Sequence, residues 1–242
     1  GKLPLIPPFI VDFGIPAWTE NLRVLNALDN MPNLYPELKQ QCTFKEAKSV
    51  VKWLAQFHAH FLNSEPNGLW EIGSYWHLET RPDELNAMRP SLLKDNAEAI
   101  DAALNNAKFN TIIHGDAKVA NFCFSESGEK VAAVDFQYIG GGVGVKDLIY
   151  FLGSCLSEDE LELYEKTLVD FYFDELKRAL SNLKADEYLC LEKEWRFLYP
   201  VAWADFNRFL LGWLPGHQKL HGFALAKNEK ALQIIQNKKA DK

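Results

Sequence analysis

Three oxygen-bearing side chains in the middle of the chain have the types and spacing for phosphoryl chemistry. Asp116 and Asn121 lie in a polar stretch between the β-type runs 111–113 and 122–124, and Asp135 ends the next run. A carboxylate can accept the proton of a hydroxyl, whereas an Asn carbonyl oxygen and a second carboxylate are hard ligands suited to Mg²⁺. One base and two metal ligands are the minimum set for phosphoryl transfer, which is catalysed mainly by positioning and charge neutralisation.

The order of these residues matches a known motif. Residues 114–121 read HGDAKVAN, and residues 135–137 read DFQ after an intervening hairpin. This order and separation are those of the kinase catalytic loop and its metal-binding Asp-Phe motif. The chain resembles the small-molecule branch of the kinase-like fold: aminoglycoside phosphotransferases, choline kinases and, most closely, the ecdysteroid-kinase-like group. Residues 52–59 and 203–210 also resemble that last group, so the resemblance covers about residues 43–220.

The resemblance implies a role for each residue of the motif. Asp116 would be the catalytic base, and Asn121 and Asp135 would hold Mg²⁺ that bridges the phosphates of ATP or GTP. Lys118 either faces the transferred phosphate or is a solvated surface lysine, and we assign it, with Gln137, to nucleotide binding. The expected activity is transfer of the γ-phosphate to a hydroxyl of a small molecule. The alternative is a non-catalytic, pseudokinase-like binding or scaffold module.

Two more residues are expected to support the loop. By resemblance, His114 holds the loop through hydrogen bonds, and Asp147 braces it while also acting as a helix N-cap. The glycine-rich run 140–144 lacks the Lys-Ser/Thr pair of a Walker loop. We interpret it as a flexible connector beside the site, with a phosphate-binding loop as the alternative.

The late helical segment carries the residues expected at the acceptor. By resemblance, the family builds its acceptor pocket from this part of the chain, which here carries Trp195, Tyr199, Trp203, Asp205 and Trp213. An aromatic wall with one carboxylate suits a sterol-like or cationic acceptor, and core packing is the alternative for each ring.

The segment after the Asp-Phe motif favours a small acceptor over a protein. Gln137 stands where protein kinases have Gly, which removes the backbone freedom of that position. Only nine residues, Tyr138 to Lys146, separate the motif from the next helix. This length is too short for an activation loop with a phosphorylation site.

Composition excludes several other classes of protein. The net charge of −7 predicts no general attraction to nucleic acid or to an anionic membrane. The apolar runs are shorter than the roughly 20 residues of a membrane span, and the start has no signal-peptide pattern. The four cysteines show no metal-binding spacing, so reduced thiols and a cytoplasmic location are expected.

The pattern of apolar residues predicts an α+β fold: a mostly helical, kinase-like C-terminal lobe with a small central β-hairpin. Thr43 and Glu46 form a predicted capping box for the first helix. The β-type runs are 111–113, 122–124 and 131–134. Helices are predicted at 44–62, from Pro82 to about Lys108, and at 147–156, 158–182, 187–213 and from Gly222 onward.

The chain is expected to divide at about residue 42. Residues 1–42 form an irregular, Pro-rich lead-in, interpreted as a remnant of the N-terminal lobe and hinge, and residues 43–242 form the C-terminal lobe. The first forty residues contain no Gly-rich loop and no lysine-bearing strand of the kinase type. The N-terminal nucleotide lobe is therefore expected to be absent or truncated.

Overall fold

The structure, a computed structural model, describes residues 37–38 and 41–240, with side chains described for residues 41–237. Most of the Pro-rich lead-in, including the expected hinge, lies outside the described residues. The described part is mostly helical. Its helices are α1 Phe44–His60, α2 Pro82–Ala87, α3 Leu92–Asp95, α4 Ala97–Asn105, α5 Val145–Cys155, α6 Glu158–Ala179, α7 Ala185–Trp213 and α8 Gly222–Ala240.

The helix starts follow from local sequence. At α1, Thr43 Oγ1 accepts a hydrogen bond from Glu46 N at 3.3 Å, and Glu46 Oε2 accepts one from Thr43 N at 2.8 Å. This confirms the predicted capping box. The helical region predicted from Pro82 to about Lys108 consists of three short helices. Pro90 accounts for the break between α2 and α3, because it cannot donate to a helical ladder and disfavours helical geometry in the residue before it.

In the described part of the chain, five short strands form two antiparallel sheets. They are β1 Glu37–Leu38, β2 Thr111–Ile113, β3 Phe122–Phe124, β4 Val131–Ala133 and β5 Gly140–Gly142. One sheet has the order β1-β3-β4, and its β3–β4 pair is the predicted hairpin, with Phe122 opposite Ala133. The other pairs β2 with β5, with Ile113 opposite Gly140. The α+β class is confirmed.

The glycine run is a strand, so both interpretations made from the sequence are wrong. Gly141 N donates to Trp70 O at 3.1 Å, which leaves that amide unavailable to a phosphate. A Cβ on Gly140 would lie 2.3 Å from Trp70 O, and one on Gly141 would lie 2.6 Å from Glu71 O. The glycines are therefore explained by a loop that crosses close above β5.

Helix packing buries the core behind the two sheets. Helix α1 packs on α6, and α7 packs on both α5 and α8. Because α7 is covered from two sides, its middle section is buried almost all around. No helix in the described ranges is both long and apolar enough to span a membrane.

Candidate active site

Asp116, Lys118 and Asn121 meet in the loop between β2 and β3. The Lys118 ammonium donates to Asp116 Oδ2 at 2.9 Å, and Asn121 Nδ2 donates to the same oxygen at 3.0 Å. Asn121 Nδ2 also donates to the backbone oxygen of Asp116 at 2.7 Å. Because both partners of Nδ2 are acceptors, Asn121 Oδ1 is the amide atom left to bind a cation. Asp116 is buried, so its charge interacts more strongly with whatever binds beside it than an exposed carboxylate would.

Asp147 holds the start of this loop from beneath. Its Oδ2 accepts from His114 N at 2.6 Å, and its Oδ1 accepts from Gly115 N at 3.0 Å. His58 Nε2 contacts the same Oδ2 at 3.1 Å. Burial alone would raise the pKa of Asp147, but the contact with His58 and the amide bond from Gly115 hold it below its ordinary value. Asp147 is therefore a buried, ionised anchor for the loop backbone.

The expectation that Asp147 caps its helix is wrong. Helix α5 begins at Val145, with Gly144 in the N-cap position, so Asp147 already lies in the first helical turn. Its carboxylate instead satisfies two amides of a neighbouring segment, which agrees with its expected bracing role.

The geometry of His114 identifies a single tautomer. Its Nδ1 accepts from Asp116 N at 3.3 Å, so the proton must be on Nε2, which donates to Val134 O at 2.9 Å. Burial lowers the pKa of this histidine and favours the neutral ring. With both nitrogens engaged in this way, His114 ties the loop to the end of β4.

Gly115 occupies a position that only glycine fits. Its φ is +80°, and an added Cβ would lie 2.1 Å from Tyr138 O. On the other side, Tyr75 N donates to Gly115 O at 3.2 Å. The loop is thus held between residues 74–75 and the segment that follows the Asp-Phe motif.

Asp135 is presented to solvent by an unusual backbone. Its φ is +62°, in the left-handed region that non-glycine residues seldom adopt, and it is exposed. The next residue, Phe136, is buried with its ring 4.6 Å from that of His114. Val134 N donates to Asn121 O at 2.9 Å, so Asp135 follows directly on a residue bonded to the other candidate ligand.

Protein side chains alone do not complete a metal site here. Among the residues that the structure describes, no three His, Cys, Asp or Glu side chains cluster to bind a metal. An Asn carbonyl, one carboxylate and phosphate oxygens together form the mixed set by which Mg²⁺ is usually held. Asn121 and Asp135 therefore fit a cation that arrives with a nucleotide.

Lys118 and Gln137, the two residues expected to bind the nucleotide, differ in their contacts with the candidate site. The Lys118 side chain is 38% exposed and already contacts Asp116. Gln137 is exposed, and its recorded contact is through its backbone oxygen, which accepts from Trp70 Nε1 at 2.8 Å. Of the two, Lys118 is the one that contacts the candidate base Asp116.

Most of the expected acceptor wall is core, which corrects that prediction. Trp195, Tyr199, Trp203 and Asp205 are all buried between α7 and its neighbours, whereas Trp213 at the end of α7 is 55% exposed and stacks on Phe209. Trp195 Nε1 donates to the backbone oxygen of Phe109 at 2.9 Å. Asp205 accepts from Arg208 at 2.8 Å and from Trp76 Nε1 at 3.0 Å, so its charge is compensated internally. Helix α7 is packed on two sides, by α5 and α8, so these residues are buried where the resemblance implied a pocket.

Three residues near the candidate base were missed. The Tyr150 ring lies 5.5 Å from that of Tyr75, and burial, followed by the neighbouring Tyr75 and the charge of Asp116, raises the pKa of Tyr150. The Lys219 ammonium lies 4.6 Å from the centre of the Tyr150 ring. Burial lowers the pKa of Lys219 to about 8, while the Asp116 charge opposes that shift. No spacing in the sequence marks these residues, because they come from three distant segments.

Part of the chain that contains this site matches the model of a known protein family. Residues 71–185 match the model of the ecdysteroid kinase-like family. The match confirms the resemblance indicated by the motif. It contains the whole loop from His114 to Asn121, Asp135 and the anchor Asp147.

Among solved structures, the chain is similar to the amicoumacin kinase hAmiN in complex with AMP-PNP, Ca²⁺ and Ami, at 14% identity and a TM-score of 0.46. The similarity covers 84% of this chain and 63% of that one, so the chain spans less than two thirds of the length of that enzyme. No curated protein matches the chain.

Proposed function

We propose that this chain carries the catalytic loop of a nucleotide-dependent phosphotransferase that acts on a hydroxyl of a small molecule. The observation that carries the proposal is that Lys118 and Asn121 both donate hydrogen bonds to Asp116 Oδ2. Asp135 follows after the hairpin, with a positive φ. A buried carboxylate with one ammonium and one amide on the same oxygen is oriented rather than free to rotate. Such an orientation suits a base that must meet a hydroxyl in one geometry.

In the proposed reaction, the acceptor oxygen forms a bond to the γ-phosphorus as the bond from that phosphorus to the bridging oxygen breaks. The nucleoside diphosphate leaves, and the hydroxyl proton passes to Asp116. The Lys118 ammonium, 2.9 Å from Asp116 Oδ2, is close enough to stabilise negative charge on the transferred group. Asn121 Oδ1 and Asp135 would hold Mg²⁺, which when bound neutralises charge on the phosphates.

The segment after Asp135 supports a small acceptor. Most of the nine residues Tyr138 to Lys146 are engaged in strand β5, its pairing with β2, and the start of α5. No length remains for a flexible peptide-binding loop of the protein-kinase kind. We propose ATP as the nucleotide.

The test separates the roles of Asp116 and Asp135 in the full protein that carries this chain. In Asp116→Asn, turnover of Mg-ATP with acceptor should fall by at least ~100-fold, because the base is lost. Nucleotide binding, measured by calorimetry, should change little. In Asp135→Asn, Mg-dependent nucleotide binding itself should weaken by roughly tenfold or more.

A matched control is Glu126→Gln, which removes an exposed carboxylate from the β3–β4 turn. It should behave as the parent in both assays. Parental turnover by Asp116→Asn would refute the role of the base. Absence of Mg-dependent nucleotide binding by the complete protein would instead favour the non-catalytic alternative.

A further inference from the structure

A buried ion pair on α7 binds the chain segment that lies against the proposed catalytic loop. Asp205 and Arg208 stand three residues apart on this helix, and both side chains are fully buried. Arg208 Nη2 donates to Asp205 Oδ1 at 2.8 Å, and Arg208 Nε donates to the same oxygen at 3.2 Å. The other oxygen, Oδ2, accepts from Trp76 Nε1 at 3.0 Å and lies 3.6 Å from Lys146 Nζ. The reaction proposed above uses none of these four side chains.

Trp76 is held by this pair at both of its polar ends. Its indole N–H is bound by Asp205, and its backbone oxygen accepts from Arg208 Nη2 at 2.9 Å. The side chain of Trp76 is fully buried, with Lys146 Nζ 5.5 Å from the centre of its ring. One guanidinium therefore joins the carboxylate to the main chain of Trp76 in a planar fork, so both the position and the orientation of Trp76 are fixed.

The peptide group that leads into Asp116 is the next contact along this path. Tyr75 N, one residue before Trp76, donates to Gly115 O at 3.2 Å. That oxygen belongs to the peptide group that joins Gly115 to Asp116. Asp147 binds the same glycine through its N–H at 3.0 Å. The two polar groups of Gly115 are thus held by different anchors, one on α5 and one that depends on α7.

A buried ion pair is weak evidence for a role in stability. The cost of removing two charges from water offsets much of their attraction, and apolar side chains of similar volume often stabilise a core as well or better. Asp205 and Arg208 are instead directed at the two polar ends of one residue, and that residue adjoins the contact with the loop. A requirement for position explains this arrangement.

We propose that Asp205 and Arg208 are positioning residues for the candidate base Asp116. They act through Trp76 and Tyr75, which together fix the peptide group that leads into the base. This inference rests on the proposed function. The sequence places Asp205 at the acceptor, whereas its contacts assign it to the support of the loop.

Arg208→Lys tests position separately from charge, because lysine keeps the charge but lacks the planar fork. The assay is the turnover assay that tests Asp116→Asn in the full protein that carries this chain. In Arg208→Lys, kcat should fall by at least about tenfold, because a base that is slightly displaced meets the hydroxyl in the wrong geometry. The KM for Mg-ATP and the affinity for Mg-AMP-PNP should change little.

The amide of Asp116 gives a readout that does not depend on turnover. Gly115 and Asp116 form the one Gly-Asp pair in this chain, so ¹³C at Gly carbonyls together with ¹⁵N in Asp selects this amide by NMR. Its absence from the spectrum of Asp116→Asn identifies the signal in the full protein. In Arg208→Lys the signal should move by more than its linewidth, because the hydrogen bond to the adjoining carbonyl is altered.

Two substitutions on the same helix are matched controls. Arg196→Lys makes the same change at an arginine that donates to Glu192 at 2.7 Å. Tyr188→Phe removes a buried hydroxyl that donates to the backbone oxygen of Phe173 at 2.6 Å. Both should leave kcat and the selected signal as in the parent. The second control separates a change of position from the general loss of a buried hydrogen bond.

Trp76→Phe decides the outcome if Arg208→Lys does not fold, as judged by circular dichroism. It keeps a buried ring but removes the indole N–H that binds Asp205, so the signal should again move and kcat should again fall. An unmoved signal, or a parental kcat, in the folded variant would overturn the inference. If the parent itself gave no turnover, the proposed function would fail, and the signal would still decide whether α7 controls the loop.

Discussion

Replacing Asp147 with Asn tests whether one buried carboxylate holds the catalytic loop. The parent side chain accepts three hydrogen bonds: from His114 N at 2.6 Å and His58 Nε2 at 3.1 Å on one oxygen, and from Gly115 N at 3.0 Å on the other. An Asn side chain has a single acceptor oxygen. In its better orientation it keeps the first two bonds, and its amide group then faces the N–H of Gly115.

The expected cost follows from that mismatch. A hydrogen bond to an ionised group contributes about 1.5–3 kcal/mol, and a buried polar group left without a partner costs about 1–3 kcal/mol. Allowing for partial relaxation, Asp147→Asn should lower the free energy of unfolding by about 2–4 kcal/mol near neutral pH. The loop should also shift, so kcat should fall without a matching change in the affinity for nucleotide.

The pH dependence gives a second signature of the same anchor. The contacts with His58 and Gly115 keep the pKa of Asp147 below its ordinary value despite burial. A depressed folded-state pKa stabilises the protein above the unfolded value of about 4 and loses this effect as the pH falls through the folded value. The parent and Asp147→Asn should therefore become more alike in acid, as judged by urea unfolding at several pH values.

A control carboxylate in a different setting completes this experiment. Asp170 contacts Lys166 at 2.7 Å and Arg196 at 2.9 Å, but its side chain is 40% exposed. Asp170→Asn should cost less than about 1 kcal/mol, because solvent screens exposed pairs. If Asp147→Asn were as mild as this control, the anchoring role would be refuted.

Three further substitutions test other parts of the structure. Burial raises the pKa of Asp101 to about 6, so its contribution to stability is present below about pH 4 and lost as the pH rises through 6. Asp101→Asn should accordingly stabilise the protein by about 2 kcal/mol near pH 7.5 and have little effect near pH 4, by urea unfolding. Gly115→Ala should cost more than about 3 kcal/mol and lower kcat, because its Cβ would meet Tyr138 O, whereas Gly68→Ala, with φ +77° in open space, should cost only about 1 kcal/mol. Trp195→Phe should lower the free energy of unfolding by about 1–3 kcal/mol but leave the KM for the acceptor unchanged, since Trp195 is core. A raised KM would instead indicate that Trp195 contacts the acceptor.

Elements with a strong local signal could be predicted from the sequence. Helix α1 follows from a capping box and an apolar face, and the β3–β4 hairpin follows from two apolar runs around a polar turn. The proposed catalytic loop also has a strong local signal in the sequence. Asp116, Asn121 and Asp135 are brought together by a single hairpin, so their relative positions are encoded within a short segment.

Features created by tertiary packing could not be predicted in this way. The glycine run 140–144 reads as a flexible or phosphate-binding loop until the chain at Trp70 is seen to cross it. Trp203 reads as part of a pocket until its ring is found against Gly153 of α5, where an added Cβ would lie 2.9 Å from it. In both cases the residue type is explained by close packing against a residue that is distant in the sequence.

The two sides of the proposed site differ in how they are encoded. The base and the candidate metal ligands lie within one hairpin-containing segment, whereas Tyr75, Tyr150 and Lys219 meet only because the loop before α2, helix α5 and the α7–α8 connection pack together. A substitution in any one of these segments can therefore change the charge or shape of this cluster without altering the loop that holds Asp116. The motif therefore predicts the reaction class, whereas the surroundings of Asp116 depend on how these segments pack together.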